Sequence, residues 1–173
     1  MSAEELRAKI REIPDFPKPG ILFYDITTLL KDRAAYKEAI DLMLKPYQGE
    51  TIDIVVGMES RGFIFSSAMA YQLNAGLVPV RKLGKLPAET ITVEYALEYG
   101  TNTLEIHKDA IQPGQKVLIV DDLLATGGTV LGTIDLVKTL KAEVVGLAFL
   151  VELNFLKGRE RLGDYYTHSV VQY

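Results

Sequence analysis

The segment VLIVDDLLATGGT, residues 117–129, constrains the fold more than any other part of the chain. It begins with an apolar run, 117–120, which is typical of a strand buried on both faces. Asp121 and Asp122 follow where this strand is expected to end, and a Gly- and Thr-rich turn then leads into a helical pattern over 130–141. A strand, a glycine-rich turn and a helix together predict an open α/β sheet, in which ligands bind at the carboxyl ends of the strands.

Strand and helix patterns alternate along the rest of the chain. Further strands are predicted over 52–56, 77–80, 144–151 and 169–172, and helices over 32–47 and 62–73. This alternation predicts a central, mostly parallel sheet flanked by helices in a single domain, residues 1–173. A capping box at Ser2 and Glu5 predicts a first helix, with Leu6, Ile10 and Ile13 on one face.

The turn Ala125-Thr126-Gly127-Gly128-Thr129 is suited to binding a phosphate. A helix start offers free backbone N–H groups and the positive end of a dipole, glycines allow close approach, and threonines add hydroxyl donors. Asp121 and Asp122 beside it suit vicinal hydroxyls, so a ribose 5-phosphate fits the pattern. A Walker A loop would need Lys where Thr129 stands, and a G-x-G-x-x-G fingerprint is absent from this segment. The alternative is an ordinary strand-turn-helix connection with a solvent-exposed pair of Asp residues. That alternative explains the combination of two acids and the TGGT turn poorly.

Two other segments carry candidate anion-binding groups. The loop GMESRGF, 57–63, again joins a predicted strand to a helix, and Arg61 offers a forked donor suited to phosphate. Arg81, Lys82 and Lys85 form a basic cluster after the strand 77–80. Solvated surface charges are the alternative for both segments.

Composition excludes several classes of function. The net charge of −4 leaves no electrostatic footprint for nucleic acid, and the absence of Cys excludes a disulfide scaffold and a Cys-based metal site. No apolar run of the length of a membrane span occurs, and the N-terminus lacks the apolar region of a signal peptide. We therefore expect a cytoplasmic protein with no nucleic-acid or membrane partner.

Several segments in order closely resemble type I phosphoribosyltransferases, and the form DDLLATGGT resembles most the branch that uses adenine. The segments are IPDFPKPG (13–20), ILFYDIT (21–27), GMESRGF (57–63), VRKLGKLP (80–87), LEYG (97–100), LEIHKDAI (104–111), DDLLATGGT (121–129) and VELNFLKGRE (151–160). The resemblance implies the type I phosphoribosyltransferase fold. It adds a small N-terminal hood, residues 1–30, over the base and a candidate flexible lid, residues 83–104.

The resemblance also implies roles for the candidate anion sites. Residues 125–129 would bind the 5-phosphate of 5-phosphoribosyl 1-pyrophosphate (PRPP), and Asp121 and Asp122 would hold the ribose hydroxyls directly or through metal-bound water. Mg²⁺ is the implied cofactor, because pyrophosphate leaves best when its charge is chelated. Pyrophosphate would be bound by Ser60, Arg61, Arg81, Lys82 and Lys85, and a basic residue of the last three would reach a neighbouring subunit, which implies a homodimer.

The base and the catalytic group are implied in the same way. Phe23 would stack on adenine, with Tyr24 and Leu153 beside it, although Phe23 and Leu153 would also suit an ordinary core. Relatives commonly carry a basic residue where this chain has Tyr24. Glu105 would be the catalytic acid/base, or would stabilise charge on the ribose, although an acid alternating with apolar residues normally faces water. His107 and His168 are interpreted as structural.

The expected activity is transfer of 5-phosphoribose from PRPP to adenine, giving AMP and pyrophosphate. Two alternatives stay open at this point. One is a phosphoribosyltransferase for another purine, such as xanthine or hypoxanthine. The other is a non-catalytic regulator that senses PRPP, which would normally need an added DNA-binding module.

Overall fold

A computed structural model describes residues 1–96 and 100–173. The helices are α1 (Ala3–Arg7), α2 (Thr27–Leu30), α3 (Arg33–Leu44), α4 (Gly62–Leu73) and α5 (Gly128–Thr139), with 3-10 turns at Lys45–Tyr47, Asn154–Leu156 and Gly158–Leu162. The strands are β1 (Arg11–Ile13), β2 (Phe23–Asp25), β3 (Ile54–Met58), β4 (Gly76–Lys82), β5 (Thr90–Ala96), β6 (Thr101–His107), β7 (Lys116–Leu124), β8 (Glu143–Glu152) and β9 (Thr167–Gln172).

A seven-stranded sheet in the order β5-β6-β4-β3-β7-β8-β9 forms the centre of the molecule. The five strands β4, β3, β7, β8 and β9 pair in parallel, whereas β6 pairs antiparallel with both β4 and β5. The predicted α/β class with a mostly parallel, helix-flanked sheet is confirmed. The antiparallel edge comes from the segment 83–104, where β5 and β6 form a hairpin; residues 97–99, part of the predicted lid and of the LEYG motif, lie outside the described residues.

The central strands are apolar on both faces because each face packs against helices. Val55, Leu118 and Val120 belong to a core that also contains Phe65 of α4. Their neighbours in the sequence, such as Val56 and Ile119, belong to a second core that contains residues of α5. Burial on both faces explains the continuous apolar run at 117–120.

The strand β7 is longer than the sequence pattern predicts. The expectation that the strand ends before Asp121 was wrong, because β7 continues to Leu124. Its pairing with β3 stops at Gly57 and Val120, but its pairing with β8 continues through Asp121 and Leu123. The neighbouring backbone of β8 therefore stabilises the extension, and a cleft forms on the side where β3 has ended.

The N-terminal segment forms a small hood. The predicted capping box at Ser2 is present, but α1 ends at Arg7. The prediction that Ile13 continues the helical face was wrong, because Ile13 lies in β1 and pairs with Phe23 of β2 in a two-stranded antiparallel sheet. Leu6 and Ile10 are buried in the first core, which attaches the hood to the domain. Of the described helices, none is both long and apolar enough to cross a membrane.

Candidate active site

Residues 125–129 form a small polar cradle between β7 and α5. Its volume is about 70 Å³, and it is lined by Asp121, Leu123, Leu124, Ala125, Thr126, Gly127, Gly128, Thr129, Val130 and Phe149. Gly127 has a φ of 87°, a left-handed conformation that favours glycine, and directly precedes the first residue of α5. The cradle therefore lies at the N-terminus of a twelve-residue helix, where the backbone N–H groups and the helix dipole favour an anion.

Asp121 and Asp122 lie side by side at the end of the cradle. Asp122 is 6% exposed, and its backbone N–H donates to Oδ1 of Asp121 over 2.8 Å. Burial and then the charge of Asp122 raise the pKa of Asp121 well above its ordinary value. Arg61 Nε lies 2.8 Å from Oδ2 of Asp122, so one guanidinium balances part of the charge of the pair. The pair is suited to a ligand that donates hydrogen bonds or carries a cation.

The loop between β3 and α4 forms the opposite wall of a cleft of about 400 Å³. The cleft is lined by Glu59, Ser60, Arg61, Asp121, Asp122, Leu123, Ala125 and Thr129. Ser60 and Arg61, predicted from the sequence, therefore face the acid pair. The Glu59–Ser60 peptide bond is cis.

Glu59, which was not predicted from the sequence, connects this loop to the basic cluster. Its Oε1 lies 3.2 Å from Arg81 Nη2, and its Oε2 accepts the backbone N–H of Lys82 over 2.8 Å. Burial would raise the pKa of Glu59, but the bonds from Lys82 and Arg81 and the charge of Lys85 outweigh it and hold the pKa low. An acid in GMESRGF followed by the RK pair at 81–82 is the signal that could have identified it. Lys82 and Lys85 are exposed, and neither of them nor Arg81 is among the residues that line the cleft.

An apolar pocket of about 140 Å³ lies under the hood. It is lined by Ile21, Leu22, Phe23, Tyr24, Ile26, Arg61, Asp122, Leu123, Val151 and Leu153. Phe23 is half-buried, and Arg61 Cζ lies 5.4 Å from the centroid of its ring. The ring of Tyr24 packs on that of Tyr173, with centroids 4.1 Å apart. The three residues predicted for the base, Phe23, Tyr24 and Leu153, therefore line one pocket.

Glu105 is not brought to this cleft. It is 3% exposed on β6, and its carboxylate accepts the backbone N–H groups of Lys85 and Leu86 over 3.0 and 2.8 Å and the hydroxyl of Thr90 over 3.3 Å. Burial opposes ionisation, but these bonds outweigh it and hold the pKa of Glu105 below its ordinary value. The expectation of a water-facing or catalytic acid does not fit this placement, because the carboxylate already binds the segment that precedes β5.

The two predicted structural histidines make backbone contacts. Nε2 of His107 accepts the backbone N–H of Ala88 over 3.3 Å, and Nε2 of His168 lies 2.9 Å from the carbonyl oxygen of Leu42. Both contacts join separate segments of the chain, in keeping with the structural interpretation.

The three cavities share lining residues and form one groove. Asp121 lines both the cradle and the cleft, whereas Asp122 and Arg61 line both the cleft and the apolar pocket. The groove therefore presents an anion cradle, a carboxylate pair and an apolar pocket in that order, with the Ser60–Arg61 loop facing the carboxylates.

Comparisons with known proteins identify the family. A phosphoribosyl transferase domain matches residues 25–172. The chain belongs to the phosphoribosyltransferase family. It is 60% identical, over 100% of this chain and 96% of the relative, to a protein named adenine phosphoribosyltransferase from Acidobacterium capsulatum.

Solved phosphoribosyltransferases share the fold over nearly their whole length. The adenine phosphoribosyltransferase of Thermoanaerobacter pseudethanolicus has a TM-score of 0.96 and 52% identity, with 99% of this chain and 100% of that chain covered. The Saccharomyces cerevisiae enzyme, solved with an imino-altritol bisphosphate and adenine, has a TM-score of 0.92 and 39% identity, with 98% of each chain covered.

The acid pair fits a magnesium ion that arrives with a substrate. Within residues 1–96 and 100–173, no group of three or more His, Cys, Asp or Glu side chains is placed to hold a metal ion. Mg²⁺ is commonly bound through one or two carboxylates together with substrate phosphates and water. Asp121 and Asp122 supply such carboxylates beside the anion cradle, so this donor set fits a substrate-borne ion better than a closed protein site.

Proposed function

We propose that this phosphoribosyltransferase transfers 5-phosphoribose from PRPP to adenine and produces AMP and pyrophosphate. The continuous groove is the observation that carries the proposal, because its cradle, acid pair and apolar pocket follow the order of phosphate, ribose and base in AMP. The names of the full-length relatives, at up to 60% identity, support the same activity.

The 5-phosphate is assigned to residues 125–129, and the ribose hydroxyls to Asp121 and Asp122. The raised pKa of Asp121 supports this assignment, since a carboxylate that burial and a like charge destabilise gains most from hydroxyl donors or a cation. Mg²⁺ is the proposed cofactor, and it would neutralise pyrophosphate as that group leaves.

Pyrophosphate is assigned to Ser60 and Arg61, with Arg81, Lys82 and Lys85 behind them. The cleft position of Ser60 and Arg61 supports this, and Arg81 reaches the same wall through Glu59. Arg61 would have to exchange its contact with Asp122 for a phosphate oxygen. The exchange conserves a charge-assisted bond for the guanidinium and frees the carboxylate for the ribose.

Adenine is assigned to the apolar pocket, with Phe23 as the stacking ring, Leu153 on the floor and Tyr24 beside them. The pocket favours adenine over a 6-oxopurine such as hypoxanthine or xanthine. Of the charged side chains that line it, Arg61 is the donor, and its guanidinium is bound by Asp122 in the free protein and is assigned to a phosphate oxygen in the complex. A 6-oxo group would therefore lack a charged partner, whereas a 6-amino group needs only an acceptor.

The chemistry exchanges one bond at C1 of the ribose for another. The bond from C1 to the pyrophosphate oxygen breaks, the bond from C1 to the purine nitrogen forms, and the proton of that nitrogen passes to the departing pyrophosphate. The acid pair stabilises the positive charge that develops on the ribose, which is electrostatic catalysis. Glu105 is left out of this scheme because its carboxylate is occupied by the preceding loop.

The remaining expectations from the sequence stay predictions. Residues 83–104 are proposed to close over the groove as a lid that excludes water, and residues 1–173 to act as one domain. The cytoplasmic location and the homodimer, with one subunit's basic residue reaching its neighbour's groove, are likewise predictions that oligomer and localisation measurements would test.

A product assay tests the activity. PRPP and Mg²⁺ are incubated with adenine, hypoxanthine or xanthine, and nucleotide formation and pyrophosphate release are followed. We expect AMP and an equal amount of pyrophosphate from adenine, and little product from the oxopurines. Greater turnover of an oxopurine would refute the base assignment, whereas PRPP binding without turnover of any base would favour the regulator.

A further inference from the structure

The 3-10 turn Gly158–Leu162, here called the buttress segment, packs directly against the phosphate cradle. A Cβ atom at Gly158 would lie 2.2 Å from the carbonyl oxygen of Ala125, and one at Gly127 would lie 3.1 Å from the carbonyl oxygen of Gly158. Backbone thus packs on backbone at this contact, and any side chain at Gly158 would displace the cradle.

Arg161 of the buttress segment binds the cradle itself. Its Nη1 donates to the carbonyl oxygen of Thr126 over 2.8 Å. In a planar trans peptide the C=O and N–H groups point in opposite directions, so a bond that fixes the Thr126 carbonyl also fixes the direction of the Gly127 N–H. This hydrogen bond matters at Gly127, because glycine loses more conformational freedom than other residues when it is ordered.

The buttress segment is in turn anchored to the sheet. Arg159 Nε donates to Oε1 of Glu152 over 2.9 Å, and its Nη1 donates to the carbonyl oxygen of Thr167 over 2.7 Å. Glu152 is 3% exposed at the end of β8 and also accepts a bond from Ser169 of β9. Arg159 therefore binds inward to two strands, while Arg161 binds outward to the cradle.

We propose that Arg161 is a positioning residue for the 5-phosphate site. It holds the Thr126–Gly127 peptide in one orientation before the phosphate arrives. The conformational entropy of this peptide is therefore lost when the protein folds and not when the phosphate binds. The proposal rests on the assignment of residues 125–129 to the 5-phosphate. It predicts an effect on phosphate-bearing sugars with little effect on pyrophosphate or adenine.

Titration calorimetry with ribose 5-phosphate tests the proposal on the full chain. Loss of one hydrogen bond in Arg161→Met should weaken binding by about three- to tenfold. Arg161→Lys, which keeps a donor, should stay within about twofold of the unchanged protein, and pyrophosphate affinity should be unchanged in both. Arg33→Met, which removes another exposed arginine on α3, is the control for net charge. Unchanged ribose 5-phosphate binding in Arg161→Met, or equal losses in the Met and Lys variants, would overturn the proposal.

A second variant probes the backbone contact. Gly158→Ala should weaken ribose 5-phosphate binding selectively, because its Cβ would meet the Ala125 carbonyl. Unchanged affinity in that variant would contradict the proposed support of the cradle by the buttress segment.

Thermal melting checks folding, and Arg161 is exposed, so its variants should melt near the unchanged protein. If the unchanged protein neither binds ribose 5-phosphate nor forms AMP, the proposed function itself fails; if it does both and Arg161→Met behaves identically, only the role of Arg161 fails.

Discussion

The ring of Tyr24 packs on the ring of Tyr173, with centroids 4.1 Å apart and an angle of 35° between the planes. Arg7 Cζ of the hood helix lies 4.2 Å from the centroid of the same Tyr173 ring. The backbone of Tyr173 is hydrogen-bonded to the two residues that flank Leu153 in the sequence: its N–H donates to the carbonyl oxygen of Glu152, and its carbonyl oxygen accepts the N–H of Asn154. One residue therefore contacts both the hood and the floor of the proposed adenine pocket.

Tyr173→Ala should raise the KM for adenine and leave that for PRPP unchanged. Aromatic pairs contribute about 0.5–1.5 kcal/mol beyond their buried area, so a rise of about two- to tenfold is expected. Steady-state kinetics measures the effect. Tyr173→Phe is the matched control: it keeps the ring and removes a buried hydroxyl that has no partner among the described residues, so it should match the unchanged protein. An equal rise in both KM values would indicate a general loss of structure.

Asp121→Asn should stabilise the protein while it weakens PRPP use. Because the folded-state pKa of Asp121 is raised above 3.8, its ionisation cost appears as the pH rises above about 4 and is fully present above the folded pKa. The amide removes that cost. Melting temperature against pH should show no difference near pH 4 and a gain at pH 7, of about 2–4 °C for each kcal/mol relieved.

The activity of the same variant should fall. Loss of a charged acceptor for the ribose should raise the KM for PRPP about ten- to a hundredfold. The double variant with Asp122→Asn should lose more, because it also removes the second charged acceptor proposed for the ribose hydroxyls. Near-normal turnover in the double variant would refute the ribose assignment.

Glu105→Gln should lower stability more than activity. The carboxylate accepts two backbone N–H groups and one hydroxyl, and an amide retains one acceptor oxygen. Since the pKa of Glu105 is lowered from 4.5, its stabilisation is present above that pH and is lost as the pH falls through the folded pKa. The variant should melt below the unchanged protein at pH 7, with a smaller difference at acidic pH. A fall in kcat of about a hundredfold at unchanged melting temperature would instead restore the acid/base assignment.

Glu105 also shows where sequence reasoning stops. Its alternation with Leu104 and Ile106 indicates a water-facing side chain, but the segment before β5 folds over it and supplies donors. The extension of β7 through Asp121 and Asp122 was missed for a related reason, because pairing with β8 stabilises the extension and local polarity does not report it. Tertiary neighbours decide both cases.

Helices whose signal lies in neighbouring residues of the sequence were predicted well. The bounds of α4, Gly62–Leu73, agree with the prediction. The helix predicted over 130–141 is present as α5, but it begins and ends two residues earlier, at Gly128 and Thr139. The 60–61 loop follows β3, the acid pair lies in the last residues of β7, and the 125–129 turn follows β7. They come together because β3 and β7 are parallel neighbours whose carboxyl ends lie at one edge of the sheet. Glu59, Gly158 and Arg161 were missed, because their contacts join segments far apart in sequence.

Phe23→Ala should raise the KM for adenine by about tenfold and leave PRPP affinity largely intact. Base stacking on an aromatic ring contributes roughly 1–3 kcal/mol, and Phe23 lines the proposed adenine pocket. The ring is half-buried and packs edge-on against Phe16, which is 50% exposed, so its truncation should cost less stability than that of a core ring. Phe65→Ala is the matched control, because Phe65 is fully buried and core phenylalanines cost about 3–5 kcal/mol on truncation. Adenine kinetics and thermal melting on both variants separate the two roles. A large drop in melting temperature for Phe23→Ala with an unchanged adenine KM would show that Phe23 supports the fold and that the base stacks elsewhere.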